Sequence, residues 1–315
     1  MPEKTLSVVM SVKDDANYLE TTLTSIAKLA PRESEVLVID DASADQTVNI
    51  LSGFARADDR FRIISGSGGG LTNALTEGCG QAEGNFIARH DGGGDISLAD
   101  RFAKQLKILN RNDGTVLVSG GTRFTGPRQE YLYEVIQDTH ILCRHLTNLA
   151  SPRGTSHHGC TMFRRDAYES VGGYRREFRV AQDLDLWVRL SEIGNCGAIP
   201  EVLYQAQLNR ASLSAMYREQ QLKLSALIGH CAANRREGKS ESTLLNEVET
   251  ISAAIVQPAT GWSSRLSDAK FYYFVGSCLA DKQPVMARRY FKSAIRAFPM
   301  HVKTLYKLGK LALNG

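Results

Sequence analysis

Short apolar segments alternate with segments of helical periodicity, and this alternation constrains the fold more than any other feature of the sequence. Four strand-like runs are separated by amphipathic runs whose apolar residues recur at three- and four-residue spacing. The strand-like runs are residues 6–12, 35–41, 61–65 and 84–91, all within about the first 90 residues. Repeated strand–helix units of this kind predict a parallel α/β sheet with helices packed on its faces.

Carboxylates stand where two of these strands end. Asp40 and Asp41 close the second strand, and Asp91 closes the fourth. In open α/β sheets, ligands bind outside the carboxyl ends of the strands. Charged groups there are costly to desolvate unless something binds them. We therefore expect a ligand site that includes these three residues.

Composition places the chain among ordinary globular proteins. Of its 315 residues, 43% are apolar and 23% are charged, which excludes disordered and fibrous classes. No run of about 18 apolar residues is present, so no membrane span is expected, and the N-terminal segment is interpreted as a strand and not a signal peptide. The six cysteines are scattered without C-x-x-C spacing. That pattern favours reduced thiols and a cytoplasmic protein over a zinc site or a disulfide framework.

Charge divides the chain into two parts. From Tyr217 onward there are 15 Lys and Arg residues against 7 Asp and Glu residues, although the whole chain carries a net charge of only +4. The pattern from Ser214 is almost entirely helical, with breaks near Gly238, 258–261, 281–284 and Pro299. We predict a domain boundary near residue 215, with domains 1–215 and 216–315. The basic second part indicates a different binding partner or simply a solvated helical face.

Four ordered motifs within about residues 5–215 resemble glycosyltransferase family 2, whose members have the GT-A fold and use nucleotide sugars. The motifs are LSVVMSVKDDANYLETTLTSI, VLVIDDASADQT, the glycine-rich stretch from GGGLTNAL to DGGGDISLADRFAKQ, and SHHGCTMFRRDAYESVGGYRREFRVAQDLDLWVRL. The resemblance implies a Rossmann-like, mostly parallel sheet with flanking helices, followed by a small all-helical domain. It also implies a glycosyltransferase that acts in cell-surface polysaccharide or glycan synthesis.

The resemblance carries donor-binding roles to the carboxyl ends of the strands. It assigns nucleotide-sugar contacts to the loop after the first strand, to the Asp pair and to the end of the fourth strand; those residues are Ser11, Asp14, Asp40, Asp41, Arg89 and Asp91. Of the Asp pair, Asp41 is our choice for the contact with a uracil-type base, since a carboxylate suits an imide N–H donor. A UDP-sugar is therefore the favoured donor.

Family members also hold a divalent metal ion, Mg or Mn, against the diphosphate. Hard oxygen ligands suit such an ion, and the resemblance implies Asp91, Asp95 and His158 as ligands, if the three glycines let the loop fold back. The acidic cluster of relatives is here DGGGD, which looks one residue longer and lacks its middle carboxylate. The competing interpretation is a flexible turn with impaired metal binding, and a pair of loop histidines, His157 and His158, without a ligand.

The fourth motif resembles the acceptor-binding segment of the family, and this resemblance implies an inverting transfer with Asp183 as general base. Such a base takes the proton of the attacking acceptor hydroxyl, and the acceptor is a glycan or a lipid-linked molecule. Gln182 stands where relatives often have Glu, and Gln207 lies where relatives often have basic residues. These departures keep an alternative open: a catalytically degenerate GT-A domain that serves as a nucleotide-binding or scaffold module.

The C-terminal residues 272–313 resemble one tetratricopeptide-like helical hairpin. Ala287, Phe291, Ala294 and Pro299 have that repeat's spacing, and a single unit is too short for a free-standing array. The basic residues here predict peripheral contact with anionic headgroups at the inner membrane face, or with a lipid-diphosphate acceptor. Nucleic acid is not an expected partner because no reading motif accompanies the charge.

Overall fold

The computed structural model describes residues 4–98, 100–210, 218–254 and 262–313. These residues form one mixed sheet, helices on both of its faces and a helical C-terminal region. The strands are β1 (Leu6–Val12), β2 (Ser34–Asp40), β3 (Phe61–Ser65), β4 (Phe86–Arg89), β5 (Ile96–Ser97), β6 (Thr115–Thr125), β7 (Tyr131–Val135), β8 (Thr161–Arg164) and β9 (Asn195–Gln207). The helices that precede residue 211 are α1 (Leu19–Leu29), α2 (Thr47–Ala57), α3 (Leu71–Gly80), α4 (Arg101–Arg111), α5 (Thr139–Thr147), α6 (Arg165–Ser170) and α7 (Gln182–Ile193), with a 3₁₀ turn at His158–Cys160.

The sheet order is β3-β2-β1-β4-β8-β6-β9-β5, with β7 paired to β6 outside this path. Strands β1 to β4 run parallel, β8 is antiparallel to both of its neighbours, and β9 runs parallel to β6. The register sets Val12 of β1 beside Asp40 of β2 and Val9 beside Arg89 of β4. The residues that follow β2 and β4 therefore leave the sheet at the same edge, as the alternating pattern predicts.

The two faces of the sheet bury separate apolar clusters. Alternate residues of β1 point to opposite faces, so Val8 packs with residues of α1, α2 and α4, and Val9 packs with residues of α3 and α7. The second cluster also takes in Leu224 and Val248, from the helices that follow residue 217. The predicted α/β class is confirmed, and each face of the sheet has the helical cover that its buried strands require.

The segment between residues 126 and 160 contains Pro127, Pro152 and several turn-forming residues, yet it includes regular elements. It contains β7 and α5, and Asp138 begins the helix by accepting a hydrogen bond from Ile141 N. Strand β9 has partner strands on both of its sides. It is a single strand between β6 and β5, since it pairs with β6 along most of its length and with β5 near its end.

The C-terminal region is helical. Its helices are α8 (Arg218–Arg236), α9 (Ser242–Ala253), α10 (Trp262–Leu279), α11 (Pro284–Ala297) and α12 (Val302–Leu313). Breaks predicted near Gly238, 281–284 and Pro299 are confirmed, and the one at 258–261 lies outside the described residues. The predicted boundary near residue 215 also lies outside them, so the division into 1–215 and 216–315 stays a prediction. The resemblance to a tetratricopeptide hairpin is supported only as a helical region.

Helices α10 and α11 pack against β7 through a third apolar cluster. Val275 of α10 and Phe291 of α11 pack with Leu132 of β7. Gly276 faces Phe291 at a distance that leaves no room for a side chain, which explains the small residue at this point. Among the described residues, no helix has both the length and the apolarity needed to cross a bilayer. All six cysteines are free thiols.

Candidate active site

The glycine loop after β4 turns back towards the sheet. Gly93 and Gly94 have φ angles of 71° and 89°, a region that L side chains rarely adopt. Asp15 Oδ2 accepts a hydrogen bond of 2.8 Å from Gly93 N, and a Cβ at Gly94 would collide with Gln207 Oε1. The loop is thus fixed from two sides, and its path brings Asp95 back towards Asp91.

Asp91, Asp95 and His157 form one cluster at this edge of the sheet. Each offers one ligand atom, and the three atoms lie within 4.8 Å of one another. Asp95 is buried, and its Oδ1 accepts a 2.8 Å hydrogen bond from Gln207 N. Burial, with the nearby charge of Asp91, raises the pKa of Asp95 well above its ordinary value. Two carboxylates this close repel each other, and a cation between them would relieve the repulsion.

Cationic and polar groups surround Asp91. Its Oδ1 lies 3.1 Å from an Arg89 guanidinium nitrogen and 2.8 Å from His158 Nε2. Its backbone N donates to Tyr204 Oη at 3.0 Å. Burial alone would raise the pKa of Asp91, but His158, then Arg89 and His157, hold it well below its ordinary value. Asp91 is therefore the ionised member of the carboxylate pair.

Arg89 lies inside the protein. Its side chain is fully buried and donates to the carbonyl oxygen of Val9 as well as to Asp91. Through these contacts, Arg89 orients the Asp91 carboxylate. The direct donor contact implied by the resemblance stays a prediction.

His158 connects Asp91 with Asp183. Its Nδ1 lies 3.8 Å from Asp183 Oδ2, on the side of the ring opposite the bond to Asp91. Burial lowers the pKa of His158, but the charges of Asp91 and Asp183 outweigh burial and raise it overall. Asp183 lies in the first turn of α7 and keeps part of its side chain exposed, where the helix dipole favours a carboxylate.

The predicted nucleotide-contacting residues lie on the neighbouring strand ends. Asp41 Oδ2 accepts a 3.0 Å bond from Gly70 N, and Asp40 Oδ2 accepts a 3.4 Å bond from Ser43 N. The other carboxylate oxygen of each, Oδ1, is buried and has no partner among the residues that the structure describes. An unpaired buried acceptor is costly, so these oxygens are suited to take a donor from a ligand.

Asp14 and Ser11 belong to β1 and the loop after it. Asp14 Oδ1 accepts a 2.7 Å bond from Ala44 N, and Asp14 N donates to Ser43 Oγ. This exchange ties the loop after β1 to the loop after β2. Ser11 is half-buried beside Ile39 in the sheet. Contacts of Asp14 or Ser11 with a nucleotide stay predictions.

Comparison with known proteins identifies the family. The profile of glycosyl transferase family 2 matches residues 7–172, just over half of the chain. The chain belongs to glycosyl transferase family 2. The putative glycosyltransferase EpsE of Bacillus subtilis is 29% identical to it over 211 residues, which is 64% of this chain and 72% of EpsE. This family 2 member is accordingly a glycosyltransferase.

Two solved structures share the fold of this family 2 enzyme. TarS residues 1–349 of S. aureus, in complex with UDP-GlcNAc, aligns with a TM-score of 0.55 and 15% identity over 93% of this chain and 89% of TarS. The mannosyltransferase PcManGT of Pyrobaculum calidifontis, in complex with GDP-Man and Mn²⁺, aligns with a TM-score of 0.57 and 19% identity over 96% of this chain and 87% of PcManGT. At this level of identity the likeness shows the GT-A type of fold.

Sequence reasoning missed three residues that shape the site. Asp15 fixes the glycine loop, Gln207 holds Asp95, and Tyr204 bonds to the backbone of Asp91. Burial raises the pKa of Asp15 to about 6. The sequence offered a signal for Asp15, since it forms an acidic pair with Asp14 in the loop after β1. No sequence pattern indicated that Gln207 would hold Asp95 or that Tyr204 would bond to Asp91, because these contacts depend on how β9 lies against the glycine loop.

Proposed function

We propose that this enzyme transfers a sugar from a nucleoside diphosphate donor, with UDP favoured, to an acceptor hydroxyl with inversion at the sugar carbon. The convergence of Asp91, Asp95 and His157, with Asp183 linked to them through His158, carries the proposal. It gathers the groups that hold a diphosphate-bound metal ion and the base that the transfer needs. The Asp-Asp-His cluster lies where ligands of such sheets bind.

The residues fit a divalent ion. Two carboxylate oxygens suit Mg or Mn, and an imidazole nitrogen adds a ligand that favours Mn over the harder Mg ion. Burial, and then the nearby charge of Asp91, raises the pKa of Asp95, so a cation beside the two carboxylates would stabilise their ionised forms. The geometry supports His157 as the third ligand in place of His158, which is engaged with Asp91. When bound, the ion supplies charge neutralisation for the departing nucleoside diphosphate.

Asp183 is the proposed general base. Its carboxylate is partly exposed at the start of α7 and lies within 3.8 Å of His158. The carboxylate takes the proton of the acceptor hydroxyl as that oxygen attacks the sugar carbon. The bond to the nucleoside diphosphate breaks on the opposite face, and the configuration inverts. His158 keeps Asp183 beside the cluster because its ring faces both carboxylates.

The donor base is proposed to lie against the ends of β1 and β2. The unpaired Oδ1 of Asp41 is suited to accept the imide N–H of uracil, and charge-assisted bonds of this kind are about twice as strong as neutral ones. Asp40, Asp14 and Ser11 complete the proposed contacts around it. This placement supports a UDP-sugar as the donor.

The acceptor is proposed to be a glycan or a lipid-linked molecule, which the enzyme meets at the inner face of the membrane from the cytoplasm. From Trp262 onward the chain has ten Lys and Arg residues against two Asp residues. Exposed Val285, Arg289, Lys292 and Arg296 share one face of α11. Exposed apolar groups among cations are typical of helices that bind anionic headgroups. Polysaccharide or glycan synthesis is the pathway that fits such an acceptor.

A panel of UDP-, GDP- and dTDP-sugars with Mn tests the function. The enzyme should bind one donor class and hydrolyse it slowly without an acceptor. Absence of nucleotide binding and of donor hydrolysis across the panel would favour the alternative of a degenerate scaffold. Two departures from the family pattern that suggested degeneracy have structural roles. The glycine loop brings Asp95 close to Asp91, and Gln207 donates a hydrogen bond to Asp95.

The proposed membrane contact has its own test. Sedimentation with vesicles of phosphatidylglycerol should carry down the full chain, and vesicles of phosphatidylcholine should not. Replacing Arg289, Lys292 and Arg296 by Gln should abolish the difference. The same replacement of the exposed cations Arg56, Lys107 and Arg111 should preserve it, and equal loss in both variants would contradict a surface on α11.

A further inference from the structure

The turn between β6 and β7 has an unusual backbone at a polar residue. Gln129 has φ 66°, in the left-handed region that residues other than glycine rarely adopt. Its neighbours close the turn, with Gln129 N donating to Gly126 O at 2.9 Å. Three-residue hairpin loops place a left-handed residue at this position, so the turn explains the backbone but not why the residue is Gln and not Gly.

The Gln side chain adds a pair of amide hydrogen bonds to β9. Gln129 Nε2 donates to Gln207 Oε1 at 2.6 Å, and Gln129 Oε1 accepts from Gln205 Nε2 at 3.0 Å. Gln207 also donates its own Nε2 to Pro127 O at 3.1 Å. Both polar ends of the Gln207 side chain are therefore bound to the turn.

The backbone of Gln207 continues this connection into the candidate metal site. Its N–H donates to Asp95 Oδ1, and its Oε1 occupies the space that a Gly94 side chain would need. Gln207 therefore contacts both the glycine loop and Asp95. Holding Gln207 in place holds Asp95 in place.

The other end of the turn is anchored in the C-terminal helices. Glu130 is buried, and its Oε1 accepts a 2.6 Å bond from Tyr290 Oη on α11. Its Oε2 accepts from Arg128 N at 2.9 Å. Burial, and then the Glu130 bond, raises the pKa of Tyr290, so the phenol stays protonated as a donor. Tyr290 itself is buried in the cluster that contains Leu132 of β7.

We propose that Gln129 is a positioning residue for the proposed metal site and that Tyr290, through Glu130, anchors it to the C-terminal helices. The helical region then completes the catalytic centre, because α11 fixes the turn that holds Gln207 and Asp95. The inference rests on the proposed function for its catalytic consequence. The positioning itself is independent of whether a metal binds.

Hydrogen exchange followed by mass spectrometry tests the positioning without any ligand. Gln129→Gly removes the amide and also relaxes the left-handed backbone, so the variant should fold. Exchange in peptides covering 91–97 and 203–209 should become about fivefold faster, since two amide hydrogen bonds to β9 are lost. Tyr290→Phe, which removes only the hydroxyl, should show a smaller increase in the same peptides.

Asp100→Gly is the matched control. Asp100 has φ 61° and makes no side-chain cap hydrogen bond, so the change relaxes the same kind of backbone outside the amide connection. Exchange in the two peptides should match the wild type. If Gln129→Gly exchanges no faster than Asp100→Gly, the positioning role is overturned.

UDP titration with Mn separates this inference from the proposed function. In Gln129→Gly, the Mn concentration for half-maximal effect should rise about fivefold, while UDP affinity in chelator stays unchanged. Faster exchange in Gln129→Gly, with no Mn effect in the wild type, would uphold the positioning and refute the metal-dependent function. A wild-type Mn effect that Gln129→Gly retains in full would overturn the catalytic consequence.

Discussion

Asp91 Oδ1 and His158 Nε2 lie 2.8 Å apart, and this bond joins two motifs that are distant in the sequence. The opposite nitrogen of the same imidazole lies 3.8 Å from Asp183. One ring therefore spans the carboxylate assigned to the diphosphate side and the carboxylate assigned to the acceptor side. The proposed mechanism predicts separable effects for these groups.

The first prediction concerns Asp183. Asp183→Asn keeps the size of the side chain but cannot take a proton, so transfer should fall by about 10² or more while donor binding is retained. Transfer rates and donor affinity, measured on the same preparation, check this. Transfer within a few-fold of wild type would remove Asp183 from the mechanism.

The second prediction distinguishes the two neighbouring histidines. His157→Gln should raise the Mn concentration for half-maximal activity by about tenfold or more, because it removes a proposed ligand. His158→Gln should raise it less and should lower kcat at saturating Mn, because it releases Asp183. Each variant serves as the control for the other. The reverse order would return the ligand role to His158, as the sequence resemblance implied.

The third prediction concerns stability and the buried carboxyl of Asp15. Burial raises its pKa to about 6 from an ordinary value of 3.8, so the folded protein holds the proton to higher pH than the unfolded chain. Stability from this group is therefore present at low pH and is lost as the pH rises from about 4 to 6. At pH 7, Asp15→Asn should stabilise the fold by about 2 kcal/mol.

Denaturant unfolding between pH 4 and 7 measures this effect. The wild type should lose stability across the window relative to Asp15→Asn, and the exposed Asp59→Asn should follow the wild type. Parallel curves for wild type and Asp15→Asn would show that the Asp15 carboxyl titrates normally.

Periodicity was sufficient to predict the parallel part of the sheet. The strands β1 to β4 are short, mainly apolar runs between helices, and most of their residues are buried. The elements β7 and α5 are harder to predict from the sequence, because prolines and polar residues obscure the pattern of such short segments. Asp138, a helix N-cap residue three positions before Ile141, was the local signal for α5.

The candidate site was predictable only in part. Asp91 stands at a strand end, so its place follows from topology. The position of Asp95 depends on a glycine loop, which permits many paths, and contacts with Asp15 and Gln207 select one of them. Such contacts join residues distant in sequence, and no local pattern encodes them.

The fourth prediction is that Asp91 and Asp95 hold a metal ion against a nucleoside diphosphate. The measurement is calorimetric titration of UDP into wild type, Asp91→Ala and Asp95→Ala, each with Mn and with a chelator. In the wild type, Mn should tighten UDP binding, and UDP should tighten Mn binding by the same factor.

Asp95→Ala should lose the Mn effect and keep the weak binding seen in chelator, and Asp91→Ala should lose UDP binding in both conditions. This result would place both carboxylates in the roles proposed for them. An Asp95→Ala variant that keeps the full Mn effect, or a wild type that binds no nucleotide with or without Mn, would contradict a metal site at Asp91 and Asp95.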